Sequence, residues 1–297
     1  MTRMGSIDVI DTHLHVWDGT AVPFVQGKEP PESLRNAGSI EALLNEMQKA
    51  GVKKCIAIQP INYGFDHTYL SDCISKHPKI IHGMMLVSGT TNSEHVELMH
   101  SLKEHGNRSF VGMRMNPSLF MGGQLDSNIG RLMYSTAADL DLIVGFMCFD
   151  GGLAKHYEAI TNLIASSPST KCVIDHWGFF RADPAQAPSA ALAHDEVSWN
   201  NLLALAKYPQ VYVKISALFR VSRDAENMYG DLQSRFEALI EAFGTRRLMY
   251  GSDFPFVAQF GYKEHLDAVK QMCDNARLSE RDIANLFSKT AERLFFM

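Results

Sequence analysis

The feature that most constrains the fold is a repeated alternation of short apolar segments with longer amphipathic ones. Eight segments read as buried strands, and each is followed by a segment of helical periodicity. The predicted strands are 9–17, 54–59, 80–87, 110–116, 142–149, 171–176, 211–216 and 247–253. Such alternation predicts parallel strands with right-handed crossovers. Eight repeats, with no Gly-x-Gly-x-x-Gly after any strand, favour a closed (β/α)8 TIM barrel over an open doubly wound sheet.

The segments between the strands predict one continuous barrel over residues 1–297, with an extra C-terminal helix. Ser39, Ser127 and Ser279 read as helix N-caps, and Pro117 is expected to end the fourth strand. Two strand-to-helix loops are long, 18–38 after the first strand and 178–194 after the sixth. Because active sites of such barrels are built from strand-to-helix loops, we expect these two to act as lids.

Composition excludes several classes of function. A formal net charge of −5 without a basic cluster does not predict binding to nucleic acid or to an anionic membrane. The longest apolar run, 142–149, is far below the roughly 20 residues that span a bilayer. The first six residues are too few and too polar for a signal peptide, and the five scattered cysteines are typical of a reducing compartment. We expect a cytoplasmic enzyme, with a homodimer left open.

Two histidines alternate along the first strand, in Asp11-Thr12-His13-Leu14-His15-Val16-Trp17. Side chains two residues apart in a strand point to the same face, so His13 and His15 can hold one divalent metal ion or one substrate oxygen. The alternative is that each is a satisfied core histidine.

Further polar residues stand at or just after predicted strand ends, where a packed barrel is otherwise apolar. They are Gln59, Arg114, Asn116, His176, Lys214, Ser216 and Asp253. His67 follows the second strand, and Arg220 and Arg223 follow the seventh. A polar ring at one end of a barrel predicts a site for a polar ligand.

Asp253 is the sharpest candidate, because a carboxylate at the end of an apolar strand is costly when dry and unpaired. It can act as general base to a water, ligate a metal, or do both; otherwise it caps a turn before Pro255. Arg114 is predicted to clamp an anion if it points inward. By strand alternation, Asp175 and His176 point to opposite faces, so both should not reach the barrel axis.

Three segments together resemble the hallmarks of the amidohydrolase-related (amidohydrolase 2) family. They are Asp11-Thr12-His13-Leu14-His15-Val16-Trp17, Asp175-His176-Trp177-Gly178 and Tyr250-Gly251-Ser252-Asp253-Phe254-Pro255. Over nearly the whole chain, the sequence is most similar to the branch of 2-pyrone-4,6-dicarboxylate lactonase and sugar-acid lactonases. The resemblance implies a TIM barrel, hydrolase chemistry and site positions His13, His15, His176 and Asp253, with Arg114 and Arg220 as carboxylate-binding positions.

The chain departs from that pattern at two places. The fourth and fifth strands offer Arg114 and Phe146-Met147-Cys148-Phe149 where metal-dependent members usually carry a ligand. A mononuclear zinc or manganese site would use His13, His15 and Asp253, and catalysis without metal stays open. Asn116-Pro117-Ser118-Leu119-Phe120 stands where the lactonases place further basic residues, which argues against a dicarboxylate substrate.

The expected function is hydrolysis of a lactone or similar C–O bond in a small anionic carbonyl compound. Asp253 would be the base, His13, His15 and His176 would polarise the carbonyl, and Arg114, Arg220, Gln59 and His67 would bind substrate. Two alternatives stay open: a metal-dependent decarboxylase of a small aromatic or unsaturated acid, and a ligand-binding barrel without chemistry.

Overall fold

Eight parallel strands form one sheet whose spatial order follows the chain, which confirms the predicted TIM barrel. The computed structural model describes residues 7–90, 94–105, 109–181 and 188–296. The strands β1 to β8 are Val9–Leu14, Val52–Ile58, Ile81–Gly89, Phe110–Phe120, Ile143–Phe146, Cys172–Ile174, Val211–Ser216 and Leu248–Gly251. The helices α1 to α11 are Ile40–Ala50, Thr68–Lys76, Glu94–His105, Asn128–Asp139, Gly152–Ser166, Pro188–Ala204, Leu218–Val221, Gln233–Phe243, Tyr262–Asn275, Glu280–Ala284 and Thr290–Phe295.

The barrel closes between β1 and the segment that follows β8. The Asp253 amide donates to the His13 carbonyl at 2.8 Å, and the His15 amide donates to the Phe254 carbonyl at 2.7 Å. Leu14 and Phe254 form a parallel bridge. These main-chain bonds hold the residues of the first and last hallmark segments side by side.

The barrel has two hydrophobic cores. The larger lies between the strands and the surrounding helices. The smaller fills the barrel interior with Ile10, Ile56, Ile58, Met84, Val111, Ile143, Val173 and Met249. Ala291, Leu294 and Phe295 of α11 pack on this inner core. The C-terminal helical segment therefore covers the end of the barrel where the strands begin, and polar residues occupy the opposite end.

The predicted end of the fourth strand at Pro117 was wrong, because β4 continues to Phe120. The last residue of β4 that pairs with β5 is Met115, opposite Phe146, whereas Phe120 still pairs with Gly89 of β3. Beyond Met115 one edge of β4 is therefore free of a ladder partner. Proline lacks an N–H donor and is tolerated where no partner needs that donor.

The predicted loop after the sixth strand was too long, because α6 begins at Pro188. Proline fits the first turn of a helix, where its missing N–H costs no hydrogen bond. Residues 182–187 of this predicted lid lie outside the described residues. The long loop after β1 is present between Leu14 and Ile40.

The remaining expectations concern the C-terminal helix, the cysteines and membranes. The predicted final helix is divided into α10, a π-helical turn at Asn285–Lys289 and α11. All five cysteines are buried and unpaired. Among the helices in the described ranges, none has the length and apolar character needed to cross a bilayer.

Candidate active site

An irregularity in β1 turns the two predicted histidines towards the barrel interior. Ile10 belongs to the inner core and Leu14 to the outer one, although regular alternation would place both on one face. The pairing of β1 with β2 shifts register between Asp11 and Leu14. Such bulges re-aim side chains near sites. His13 and His15 lie next to each other, with ring centroids 5.4 Å apart.

Asp253 lies directly after β8 and is 1% exposed. Its backbone has φ of 64°, a left-handed conformation that costs a non-glycine residue roughly 1–2 kcal/mol. The hydrogen bond from its amide to the His13 carbonyl holds it there. The chain thus accepts a strained backbone at the residue that presents the carboxylate.

Three imidazoles converge on one oxygen of this carboxylate. Asp253 Oδ1 lies 3.6 Å from His15 Nε2 and 3.9 Å from the Nε2 atoms of both His13 and His176. The rings of His13 and His176 are 4.2 Å apart. The four residues expected at the site from β1, β6 and β8 therefore meet, as the three sequence segments predicted.

Two arginines lie next to the carboxylates of Asp253 and Asp175. Arg220 Nε donates to Asp253 Oδ2 at 2.7 Å, and its guanidinium packs over the Phe256 ring at 4.8 Å. Arg114 is buried, with Nε 3.3 Å from Asp175 Oδ2. Arg114 therefore points inward, as required for the predicted anion clamp.

The expectation that Asp175 and His176 could not both reach the barrel axis was wrong. Strand β6 ends at Ile174, and His176 has φ of 48°, so strand alternation no longer applies. The His176 ring lies beside Asp253, while Asp175 Oδ1 lies 3.2 Å from His13 Nδ1. A left-handed turn directly after a short strand is the reason that both side chains reach the site.

A buried lysine lies under the histidines. Lys214 Nζ is 3.1 Å from His13 Nδ1 and 3.0 Å from Asp175 Oδ1, and the residue has 0% exposure. An ammonium group can only donate hydrogen bonds, and a carboxylate can only accept them. If Lys214 donates to His13 Nδ1, the proton of neutral His13 is on Nε2. If Nδ1 instead donates to Asp175, Nε2 carries a lone pair.

Burial dominates the protonation of the cluster. Desolvation lowers the pKa of His15 to about 3 and holds the pKa values of His13 and His176 well below the usual 6.5. Desolvation also raises the pKa of Asp253, against the opposing effect of Arg220. For Asp175, burial disfavours the charge, but Lys214 and Arg114 overcome it and lower the pKa. The site combines neutral imidazoles with a carboxylate that accepts a proton more readily than usual.

The tautomer of His15 follows from its surroundings. His15 Nδ1 lies 2.8 Å from the Ile58 carbonyl, which can only accept a hydrogen bond. Neutral His15 therefore carries its proton on Nδ1 and turns the Nε2 lone pair towards Asp253. His176 Nδ1 contacts the Ser216 hydroxyl at 2.8 Å, and a hydroxyl serves either as donor or as acceptor.

A cavity of about 280 Å³ opens above the cluster. Of the predicted site residues, His15, Gln59, Arg114, His176, Arg220 and Asp253 line it, together with Asn116. His13 lies behind this wall at 0% exposure. Gln59 Nε2 donates to the carbonyls of Gly64 and Asp66, and its Oε1 is buried without a hydrogen-bond partner.

Two predicted positions lie outside the cavity wall. His67 contacts the Phe65 carbonyl through Nδ1 and accepts from the Leu86 amide through Nε2, so both ring nitrogens are occupied by main chain. Arg223 donates to Asp195 at 3.1 Å. We therefore do not include either residue among the substrate-binding groups.

Sequence reasoning missed the roles of Asp175, Lys214 and Asp11. Lys214 and Ser216 alternate with Val213 and Ile215, which pack in the outer core, so the pattern in β7 already indicated that Lys214 points inward. Asp11 accepts hydrogen bonds from the amides of His13 and Ser252 and from the Tyr262 hydroxyl. No signal in the sequence distinguishes this bracing carboxylate from a ligand.

The donor set fits a divalent metal ion. Ligand atoms of His13, His15 and Asp253 all lie within 4.8 Å of one another, and His13 Nε2 is buried without a hydrogen-bond partner. The His15 Nδ1 contact to a carbonyl and the His13 contact to Asp175 are the kind of outer contacts that orient metal-bound imidazoles. Lys214 opposes this fit, because a proton donated to His13 Nδ1 leaves no lone pair on Nε2.

Fold and site together define a TIM-barrel enzyme of the amidohydrolase type. The chain belongs to the amidohydrolase family whose model, Amidohydro_2, matches residues 10–297. This result confirms the family resemblance of the three sequence segments. No curated protein matches the chain in sequence.

Solved structures with the same fold cover nearly the whole chain. A probable 2-pyrone-4,6-dicarboxylic acid hydrolase from Acinetobacter baumannii, with citric acid bound, is 19% identical with a TM-score of 0.72, covering 98% of this chain and 100% of that one. An amidohydrolase from Burkholderia multivorans with bound zinc is 22% identical with a TM-score of 0.74, covering 97% and 98%. A dihydroxybenzoic acid decarboxylase from Polaromonas sp. JS666, with manganese and 2-nitroresorcinol, is 14% identical with a TM-score of 0.65, covering 97% and 96%.

Proposed function

We propose that the protein hydrolyses a lactone or similar C–O bond in a small carboxylate-bearing compound, with Asp253 as general base. The observation that carries this proposal is the convergence of three imidazole Nε2 atoms within 3.6 to 3.9 Å of Asp253 Oδ1 at the base of a cavity. A base beside groups that can donate to a carbonyl oxygen, here His176 and the two arginines of the wall, is the arrangement that acyl hydrolysis requires.

Asp253 takes a proton from a water molecule as the water oxygen bonds to the substrate carbonyl carbon. The tetrahedral intermediate then collapses, the ring C–O bond breaks, and Asp253 returns the proton to the leaving oxygen. Because burial raises the pKa of Asp253, the carboxylate is a better proton acceptor than an exposed aspartate. Arg220, bonded to Oδ2, fixes the orientation of the other oxygen.

The imidazoles stabilise negative charge on the carbonyl oxygen when their Nε2 atoms carry protons. Lys214 donating to His13 Nδ1 places the His13 proton on Nε2, on the side of the site. The Ser216 hydroxyl permits the same tautomer for His176. Of these two residues, His176 lines the cavity and is the oxyanion donor in the metal-free protein, whereas His13 lies behind the wall and His15 offers a lone pair.

Arg114 and Arg220 bind the substrate carboxylate. Both line the cavity, and each already contacts an aspartate, which holds its guanidinium in place. Gln59 and Asn116 line the same cavity and complete the polar contacts. The citric acid in the Acinetobacter baumannii relative supports a small carboxylate as ligand of this fold.

His13, His15 and Asp253 are the residues that would hold a zinc or manganese ion. A bound divalent ion would polarise the carbonyl and lower the pKa of a water molecule. The zinc in the Burkholderia multivorans relative and the manganese in the decarboxylase show that this fold accommodates both ions. Decarboxylation is the second candidate; it is favoured if one tightly held ion is lost together with activity in His13→Ala.

Replacing Asp253 with asparagine tests the proposal. We expect turnover to fall by about 100-fold or more, since general-base catalysis contributes roughly 10² to 10⁴. Hydrolysis of 2-pyrone-6-carboxylate, isocoumarin-3-carboxylate and D-glucaro-1,4-lactone is followed by proton release, with circular dichroism to verify folding. Asp72→Asn, at a half-exposed position in α2, is the matched control. Near-wild-type turnover in the Asp253 variant would defeat the proposal.

A further inference from the structure

The wall of the cavity is mainly apolar. Seven of its side chains carry no polar group, and these are Pro60, Ile61, Leu86, Met147, Phe149, Phe179 and Phe256. Phe179 packs edge-on against His176 at 5.0 Å, and Phe256 packs edge-on against His15 at 5.9 Å, between ring centroids. Aromatic rings therefore lie next to two of the imidazoles that surround the base.

Each of the three uncharged amide side chains in the wall already uses one of its polar atoms within the protein. Asn62 Nδ2 donates to the Lys28 carbonyl, and Asn116 Oδ1 accepts from both the amide and the hydroxyl of Ser118. Gln59 uses its Nε2 in the same way but leaves Oε1 without a partner. A ligand with many hydroxyl groups would lose more hydrogen bonds to water than these partly used amides can replace, whereas a single donor can bond Gln59 Oε1.

The charges at the site match one anionic group. Arg114 and Lys214 pair with Asp175, and Arg220 pairs with Asp253. Among the charged residues that line the cavity, Arg114 and Arg220 are cations and Asp253 is the carboxylate, which leaves an excess of one positive charge at the wall. One uncompensated positive charge in a desolvated site favours one carboxylate and penalises a second.

The cavity is also small. Its volume of about 280 Å³ lies at the lower limit of ligand pockets, which typically enclose roughly 300 to 1,000 Å³. It suits one ring, or a small fused pair of rings, lying against the phenylalanine side chains.

We infer that this site takes a planar, largely apolar ring carrying a single carboxylate, and discriminates against polyhydroxylated acids and dicarboxylates. The inference rests on the function proposed above for its chemistry, but ligand binding tests it separately. Ring faces would contact Phe179 and Phe256, the carboxylate would bind Arg114 and Arg220, and a ring hydroxyl would donate to Gln59 Oε1.

Calorimetric titration of the purified protein with three unreactive probes measures this preference. The probes are 3-methylbenzoate, benzene-1,3-dicarboxylate, which replaces the methyl group with a second carboxylate, and D-gluconate. We expect 3-methylbenzoate to bind about tenfold more tightly than either of the others. Equal or tighter binding of the dicarboxylate or gluconate would overturn the inference, as would the absence of measurable binding by all three.

Substitutions of two exposed residues test whether the cavity wall contacts the bound 3-methylbenzoate ring. Phe149 is 61% exposed and lines the cavity, whereas Met121 is 75% exposed and is not among the lining residues. We expect Phe149→Ala to weaken 3-methylbenzoate binding several-fold through lost aromatic contact, and Met121→Ala to leave it unchanged. Equal effects of the two variants would contradict the assignment of Phe149 to the ligand wall.

Hydrolysis assays separate this inference from the proposed function. Binding of 3-methylbenzoate without hydrolysis of any lactone would overturn the function and retain the ligand class. Faster hydrolysis of D-glucaro-1,4-lactone than of isocoumarin-3-carboxylate would retain the function and overturn the ligand class.

Discussion

We expect the protonation of His13 to determine whether the site binds a metal ion. Its Nδ1 faces both a donor, Lys214 at 3.1 Å, and an acceptor, Asp175 at 3.2 Å. A bond from Lys214 leaves Nε2 protonated and unable to bind a metal ion. A bond to Asp175 leaves a lone pair on Nε2 and suits a metal ion. One hydrogen bond at Nδ1 therefore decides whether His13 can bind a metal ion.

Replacing Lys214 with methionine should tighten zinc binding by about 10-fold or more, since outer contacts to metal-bound histidines are worth roughly 10- to 100-fold in affinity. The substitution removes the donor, so His13 Nδ1 bonds only to Asp175 and Nε2 keeps its lone pair. Zinc affinity is measured by competition with a chromophoric chelator.

His13→Ala is the control for that measurement and should lose most of the zinc affinity. An unchanged or weaker zinc affinity in a folded Lys214→Met protein would show that Lys214 does not determine the tautomer of His13.

The junction of β1 with β8 is the element that positions the site. Asp11 joins the two ends by accepting from the amides of His13 and Ser252, and burial raises its pKa to about 6. Gly251 allows β8 to approach β1 closely, because a Cβ atom there would lie 2.9 Å from His13 Cβ. The position of His13 depends on a residue that lacks a side chain.

Gly251→Ala should therefore displace His13 and lower kcat/KM by about 10- to 100-fold, since small displacements of reacting groups are costly. Overpacking should also destabilise the fold by roughly 1 to 3 kcal/mol. The measurements are kcat/KM on the best of the three lactones and the thermal unfolding midpoint.

Gly230→Ala provides the matched control, because a Cβ atom there would meet Asp224 Oδ2 at 3.8 Å, an ordinary contact. Equal activity of the two alanine variants would refute the steric role of Gly251.

The elements also show which parts of the site could be predicted. The pattern of β7 predicted its bounds of 211–216 correctly, because apolar and polar residues alternate without a bulge. The prediction that Asp175 and His176 point to opposite faces was wrong because His176 adopts a left-handed backbone that strand periodicity does not anticipate. His67 was a reasonable site candidate by position, but the carbonyl and the amide that occupy its ring come from folded main chain.

For the whole molecule, the barrel was predictable because eight strand–helix repeats leave few other topologies. Register was less predictable, since the shift in β1 between Asp11 and Leu14 depends on pairing with β2. The same fold buries several histidines in neutral form. Desolvation lowers the pKa values of His15 and His265 to about 3 and that of His67 to about 4.

Acidification should therefore destabilise the protein between pH 6.5 and pH 4. In this range the unfolded chain binds protons on these histidines and the folded chain does not, so stability is fully present above 6.5 and falls with pH. Each fully buried histidine contributes about 1.4 kcal/mol per pH unit below 6.5. Asp11 has the opposite sign, because its raised pKa favours the folded state as pH falls from 6 to 3.8.

Urea unfolding at pH 7, 6 and 5 measures this dependence. His265→Gln should reduce the slope by about one proton, whereas Gln48→Asn, which lies at an exposed position in α1 and replaces no titrating group, should leave it unchanged. A free energy of unfolding that stays constant or rises from pH 7 to pH 5 would contradict the prediction.

Ala291, Leu294 and Phe295 cover the inner core, so small molecules cannot pass through this end of the barrel. Substrate and ring-opened product therefore enter and leave through the opening of the cavity above Asp253. Hydrolysis of the proposed monocarboxylate lactone would give a product with a second carboxylate, in a cavity whose wall has an excess of one positive charge, so we expect electrostatic repulsion to favour product release.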